Sequence, residues 1–558
     1  MSEGQRPQAG RNGQQRRGGQ RPQQQRRGSR PVSARRVAFD VLRAVQVDDA
    51  YANLLLPSRI RRATLSARDA GFATELTYGT IRMLGRYDAV VAAASGRRVE
   101  NVEADVLDVL RIGVHQLLGM RTPTHAAVSS TVELAREVGA VRATGFVNAV
   151  MRKVAARTPE EWDAEITAGL GGDALLARRW SHPVWVVAAL RDALAAERSR
   201  DELVALLAAD DVAPRVQLAA LPGLATDEDV ASATAVRTDD DGSSADGPPD
   251  RDDRDDRADA DAPADADAPA DADAHAEVDA DAAAEAGADP DAAVAAVPDD
   301  ADTTAVAAAD ALPVSPVGIR GLTGDPARVP AVVAGRLRVQ DEGSQLAALA
   351  LTRSAPVRAG ERWLDLCAGP GGKAALLAAE AALGGATLVA NEIAPTRVGL
   401  VREALRGFGD TVTVVEGDGR RYGRDGAGVV YDRILLDAPC TGLGALRRRP
   451  EARWRKQPED VAELAALQEE LLDAAVRVLA PGGTLAYVTC SPHLAETRGQ
   501  VDALMRRHGG ELEQLDTAAV VRSVAARDPQ VADGRTVQLW PHRIGTDAMF
   551  IALVRRVA

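Results

Sequence analysis

Three cysteines in 558 residues leave no material for a disulfide framework, and so small and odd a count points to a reducing cytosol. Lysine is equally scarce: Lys153, Lys373 and Lys456 are the only three, so arginine carries nearly all the positive charge. Aromatic residues are few. No stretch approaches the ~18 uninterrupted apolar residues of a membrane span. The Gln/Arg/Gly-rich N-terminus has neither the charge pattern nor the apolar core of a secretory signal. These absences predict a soluble cytoplasmic protein with no membrane partner. The length accommodates three or four domains and a large core.

The net charge of −14 is unevenly held. Residues 1–31 carry eight Arg and one Glu, whereas 239–302 carry 24 Asp/Glu against three Arg. These segments contribute +7 and −21, so the remainder is neutral. An acidic isoelectric point therefore does not exclude a nucleic-acid substrate.

Residues 1–31 have almost no apolar side chains and are predicted to be a disordered basic tail. Such tails either make salt-sensitive contacts with RNA phosphates or only solubilise. From 32 to 157 the pattern is helical. Val37, Leu42 and Val45 mark one apolar face; Val102, Val106, Val109, Leu110, Val114 and Leu117 mark another. Spacing alone gives an all-α bundle. Residues 158–237 read as a mixed α/β connection, with helix over Trp185–Ala209 and a strand at Arg215–Leu218. Residues 238–312 alternate Ala and Asp, leave no apolar face, and are predicted to be a disordered acidic insert. A passive surface insertion is the simpler reading; mimicry of RNA phosphates in a basic groove is the other.

Residues 313–558 alternate strand and helix. The predicted strands are Arg362–Cys367, Thr387–Asn391, Val412–Glu416, Arg433–Asp437 and Thr484–Thr489. The helices between them include Lys373–Ala382, Pro395–Phe408 and Pro458–Leu479. This is an α/β pattern of a parallel sheet covered on both faces. Ligands gather at the carboxyl ends of such strands, and all three cysteines fall there.

Between the first strand and its helix lies Cys367-Ala368-Gly369-Pro370-Gly371-Gly372-Lys373. Its glycines let backbone N–H groups approach a ligand at a helix N-terminus. A phosphate-binding Walker loop fails, because position 367 is Cys and Ala374 follows Lys373; the dinucleotide pattern fails at Ala374 as well. Glu392 ends the second strand, where an acid can accept from ribose hydroxyls, and Asp418 ends the third. The arrangement is similar to the S-adenosylmethionine (SAM) fold of class I methyltransferases, a Rossmann-like sheet.

Asp437-Ala438-Pro439-Cys440-Thr441-Gly442 and Thr489-Cys490-Ser491 resemble two signature motifs of RNA 5-methylcytosine methyltransferases, as does Cys367–Lys373. Leu76–Arg82, His125–Val128 and Gly145–Lys153 resemble the NusB-like RNA-binding domain. With Val339-Gln340-Asp341, the match spans most of 33–558 and resembles most the RsmB (Sun) branch, which acts on 16S rRNA. The resemblance implies SAM as cofactor, RNA as partner and no metal. It implies methylation of a cytosine C5 through a thiolate adduct at C6. It makes Cys490 the nucleophile, assigns Cys440 to release of the adduct, and places Asp437 between SAM and the base; Cys367 lines the cofactor loop. DNA enzymes instead attack with the Pro-Cys cysteine, which would be Cys440. The same chemistry on tRNA or another rRNA site, and a non-catalytic RNA-binding role in ribosome assembly, stay open as alternatives. So do the target nucleotide and the oligomeric state. Where the family has an acidic run after the nucleophile motif, this chain keeps only Glu496. The Arg447–Lys456 run, six cations around Trp454, suits phosphate contacts and a stacked base.

Overall fold

The computed structural model describes residues 32–235 and 312–557, apart from 49, 121, 323–325 and 425–427. The predicted basic tail at 1–31, and all of the predicted insert at 238–312 except its last residue, lie outside the described residues.

The front of the chain is helical. Ser33 caps the first helix, Ala34–Val47, by accepting from the Arg36 N–H at 3.1 Å. Ala67–Arg82, Leu84–Ser95, Ala104–Val114, Thr124–Glu137 and Thr144–Ala155 join it in one bundle. The faces expected from spacing meet in one core that includes Val37, Leu42, Val45, Val106, Val109 and Leu110. Helices continue through the connection. The helix expected over Trp185–Ala209 is broken into Val184–Ala196 and Leu203–Asp210. The intervening Glu-Arg-Ser-Arg-Asp-Glu offers no apolar face to bury, and Arg198 adopts φ +63°.

Strand β1 (Val216–Ala220) is antiparallel to β2 (Gly318–Leu322) and β3 (Leu337–Val339), in the order β2-β1-β3. Residues on either side of the acidic insert thus share one small sheet. The structural unit that precedes the large sheet begins at 216, well before the composition change at 313.

The large sheet contains β4 (Arg362–Asp365), β5 (Thr387–Glu392), β6 (Val412–Glu416), β7 (Tyr431–Asp437), β8 (Leu479–Thr489), β9 (Leu512–Gln514), β10 (Thr536–Gln538) and β11 (Phe550–Arg556). Its order is β10-β11-β8-β7-β4-β5-β6, with β9 also on β11. Strands β4 to β8 are parallel as expected. The far edge corrects the parallel-sheet expectation, because β11 runs antiparallel to β8 and carries β9 and β10 antiparallel to itself. A continuous apolar run such as Phe550–Val554 signals burial on both faces but no direction.

Alternate side chains on these strands serve opposite cores. Trp363, Leu435, Ala486 and Val488 meet the helices Glu342–Thr352 and Gly372–Gly384. Leu364, Ile434, Leu436, Leu485 and Tyr487 meet Pro458–Val478 and Arg498–Arg507. Helices on both faces leave the carboxyl edge of the sheet as the place where loops after β4, β5, β6, β7 and β8 converge.

Candidate active site

Gly371 begins the helix after β4 with φ +103°, and a Cβ there would sit 2.5 Å from Ala404 Cβ. Only glycine tolerates both conditions. The turn presses its backbone onto Glu392: the Gly369 N–H donates to Oε2 at 3.0 Å, and the Ala394 N–H donates to Oε1 at 3.0 Å. Arg397 reaches the Gly369 carbonyl from the other side. Arg397 Nη2 also lies 3.6 Å from Oε2, and Oε1 retains a further lone pair for another donor. Asn391 donates to the carbonyls of Leu366 (2.9 Å) and Gly417 (3.0 Å), tying the loops after β4, β5 and β6 together. Sequence reasoning assigned Asn391 no part in the site. Asp418 is held by Arg420, whose guanidinium reaches both carboxylate oxygens at 2.9–3.1 Å.

Groups suited to a polar ligand remain beside this loop. Space is open over Gly372, where a Cβ would meet only Gln340 Nε2 at 3.8 Å. The Gln340 amide is buried, and neither its nitrogen nor its oxygen has a hydrogen-bond partner. Asp365 is likewise buried with both oxygens unpartnered. Burial, with the Asp437 charge nearby, pushes its carboxyl up to about 8. Donor and acceptor groups so placed fit a cofactor with amino, carboxylate and ribose functions.

Lys373 projects from the first turn of the helix to Asp437 at the end of β7, with Nζ to Oδ2 at 2.7 Å. Burial works against the ammonium, but Asp437 more than compensates and holds it charged. Beyond this pair, Cys440 and Cys490 bring their Sγ atoms to 3.4 Å. Neighbouring parallel strands β7 and β8 deliver them, and the loops are stitched together by backbone. The Ala438 N–H donates to the Val488 carbonyl at 2.9 Å, and the Gly444 N–H to the Cys490 carbonyl at 2.8 Å. A Cβ on Gly444 would stand 2.0 Å from the Ala548 carbonyl, so three loops meet there.

The three thiols have different electrostatics. Burial, followed by the charges of Asp365, Asp437 and Glu392, pushes Cys367 far above the usual thiol range. Cys490 is pulled down, chiefly by the hydrogen bond from Cys440; burial and Asp437 oppose this, and Lys373 and Arg449 assist it. Cys440 is pushed up by the same hydrogen bond and by burial. Either sulfur can donate in this contact, and the surrounding charges favour ionisation of Cys490 over Cys440. Because a lowered folded-state value moves ionisation to lower pH, Cys490 should be alkylated with a midpoint below the ordinary ~8.5 of a free thiol. Iodoacetamide labelling followed by peptide mass spectrometry across pH checks this. Lys373→Met should move the midpoint upward, and labelling of Cys440 ahead of Cys490 would contradict this order.

The basic run after Cys440 is not the free surface expected of it. Arg453 is fully buried and bonds Asp211 at 2.9 Å and the Ser181 carbonyl at 3.1 Å. Arg448 pairs with Asp547. Arg455 donates to the carbonyls of Val45 and Ala50, and Trp454 packs on Gly85 in the helical front. Leu443 and Leu446, from the same segment, join Val187, Leu190, Leu194 and Leu207 in a shared core. This segment fastens the loop after β7 to the preceding helices, which the charge pattern alone did not reveal.

Residues 354–555 match the family model for the 16S rRNA methyltransferase RsmB/F, and 32–156 match the NusB family. Over 441 residues the chain is 30% identical to the ribosomal RNA small subunit methyltransferase B of Vibrio cholerae serotype O1, covering 79% of this chain and 82% of that one. The chain belongs to the RsmB/F family of rRNA methyltransferases. It is also 43% identical over 526 residues to a Mycobacterium tuberculosis protein named for methyltransferase activity alone, covering 94% and 96% of the two chains. The crystal structure of PH0851 shares the fold, with a TM-score of 0.66 at 19% identity over 94% of this chain and 99% of that one. The sheet is therefore the class I SAM-dependent methyltransferase fold behind an all-helical NusB-like front, and the chain is an enzyme of the methyltransferase class.

Proposed function

We propose that this enzyme methylates C5 of a cytosine in 16S rRNA, with SAM as the methyl donor, through a covalent bond between Cys490 and C6 of the base. The observation that carries this reading is the close Cys440–Cys490 thiol contact beside Lys373 and Asp437. Cytosine C5 is a poor nucleophile, and one thiolate attack divides a difficult step into easier ones.

SAM supplies an electrophilic methyl group when bound. The Gly369–Lys373 turn, Glu392 and Asp418 would hold it, and Gln340 and Asp365 offer the unpartnered polar atoms nearby. Cys490 attacks C6, forming the S–C6 bond and turning the ring into an enamine whose C5 accepts the methyl group. Asp437, fixed by Lys373, stands between the cofactor loop and the thiols. Once Cys490 is committed to carbon, Cys440 loses the thiolate whose hydrogen bond is the largest cause of its raised value. Its proton then passes to solvent water, and the resulting thiolate can take the C5 proton. Elimination then breaks the S–C6 bond and returns Cys490. The target base must be unpaired or flipped out to reach the thiols.

Bisulfite sequencing of total RNA from a deletion strain and its complemented parent tests substrate and reaction together. One 16S cytosine should become fully convertible in the deletion strain. Loss of a tRNA mark with 16S rRNA unchanged would move the enzyme to another substrate.

A further inference from the structure

Glu496 is fully buried six residues beyond the nucleophile, and it is the sole acid left where the family has a run. Its Oε1 accepts from the Thr441 N–H at 2.7 Å and from Gln468 Nε2 at 3.3 Å. Its Oε2 accepts from the Thr441 hydroxyl at 2.5 Å and from the Ser491 hydroxyl at 2.6 Å. Thr441 adjoins Cys440 and Ser491 adjoins Cys490. One carboxylate thus grips both cysteine loops next to their thiols. The grip is itself anchored, since the Tyr487 hydroxyl on β8 donates to the Glu496 carbonyl at 2.6 Å and Gln468 Nε2 also donates to the Pro439 carbonyl at 2.8 Å.

We propose that Glu496 is a positioning residue that locks the Cys440 loop onto the Cys490 loop and so holds the two thiols in hydrogen-bond contact. This rests on the proposed roles of the two cysteines. Four donors fill the acceptor positions of the carboxylate, so neither loop can shift without leaving a buried polar group unpaired. The grip adds to the backbone bonds between the loops, where a small slip would separate sulfurs that lie 3.4 Å apart.

The test is site-resolved alkylation of the reduced full-length protein by iodoacetamide at pH 7, without RNA or SAM, read as the ratio of Cys490 to Cys440 labelling. The wild type should favour Cys490 by about tenfold or more, because only the thiolate alkylates. Glu496→Ala should bring the ratio at least about fivefold closer to one. Glu496→Gln should stay within about threefold of wild type, because its amide oxygen serves Thr441 N–H and its amide nitrogen can donate to the two hydroxyls. Ser491→Ala removes a single bond and should fall between them, which keeps the test informative if the Glu496→Ala chain fails to fold. An unchanged ratio in both alanine variants would overturn the clamp, as would a Gln variant as disturbed as the Ala variant. Methyl transfer by the wild type to 16S rRNA, measured in parallel, tests the proposed function separately. Absent transfer with a shifted thiol ratio would count against the function and leave the clamp standing.

Discussion

Cys490→Ala is expected to abolish methyl transfer, by on the order of 10³-fold or more, and to form no covalent complex with RNA. Removing the nucleophile of a covalent mechanism removes the intermediate itself, and other residues cannot make up the loss. Cys440→Ala should behave differently. Attack and methyl transfer remain available to Cys490, but the base that completes elimination is gone, so a protein–RNA adduct should accumulate. Denaturing gel electrophoresis with labelled RNA and SAM reads both outcomes. The reverse pattern, with the adduct trapped by Cys490→Ala and lost in Cys440→Ala, would make Cys440 the attacker, as in the DNA enzymes. The lowering of the Cys490 thiol beside Lys373 and Arg449, with Cys440 pushed up, supports the first pattern.

Arg453→Ala should cost about 3–5 kcal/mol of stability, the range for removing one partner of a buried ion pair. Its guanidinium reaches Asp211, the Ser181 and Asp210 carbonyls, and the Arg82 carbonyl of the helical front. Without it, Asp211 keeps a buried carboxylate that burial already pushes upward. The loop after Cys440 loses its anchor at the same time, so activity should fall along with stability. Denaturant unfolding followed by fluorescence reads the change. The double replacement Arg453→Met with Asp211→Leu should recover most of the stability, because it removes the stranded charge. A single variant within about 0.5 kcal/mol of wild type would mean that the buried pair does not hold the junction.

The two cores illustrate how far local pattern reaches. Val37, Leu42 and Val45 could be assigned to a buried face from spacing alone, because a helix repeats its face every three or four residues whatever it meets. The five parallel strands were readable as apolar runs ending in turns. Strands β9 to β11 were not, because pairing direction depends on where the chain returns and not on the composition of the run. The same limit applies to arginine. Arg447, Arg448, Arg453 and Arg455 look alike in sequence as a solvated cationic stretch. Whether each meets phosphate or a buried carbonyl is decided by the helices folded against it.

By itself the sequence determined the chemistry carried by each loop: a glycine turn that must approach a ligand closely, acids at strand ends, and a cysteine in each of two motifs. Those properties follow from residue type and from the strand–turn–helix order, both local. Only the tertiary structure decided that Cys440 and Cys490, fifty positions apart, share a hydrogen bond, that Lys373 reaches Asp437, and that Glu496 grips both cysteine loops. Parallel strands β7 and β8 put those loops side by side. Thiol polarity then arises from distances of a few ångströms between residues that no spacing in the chain encodes.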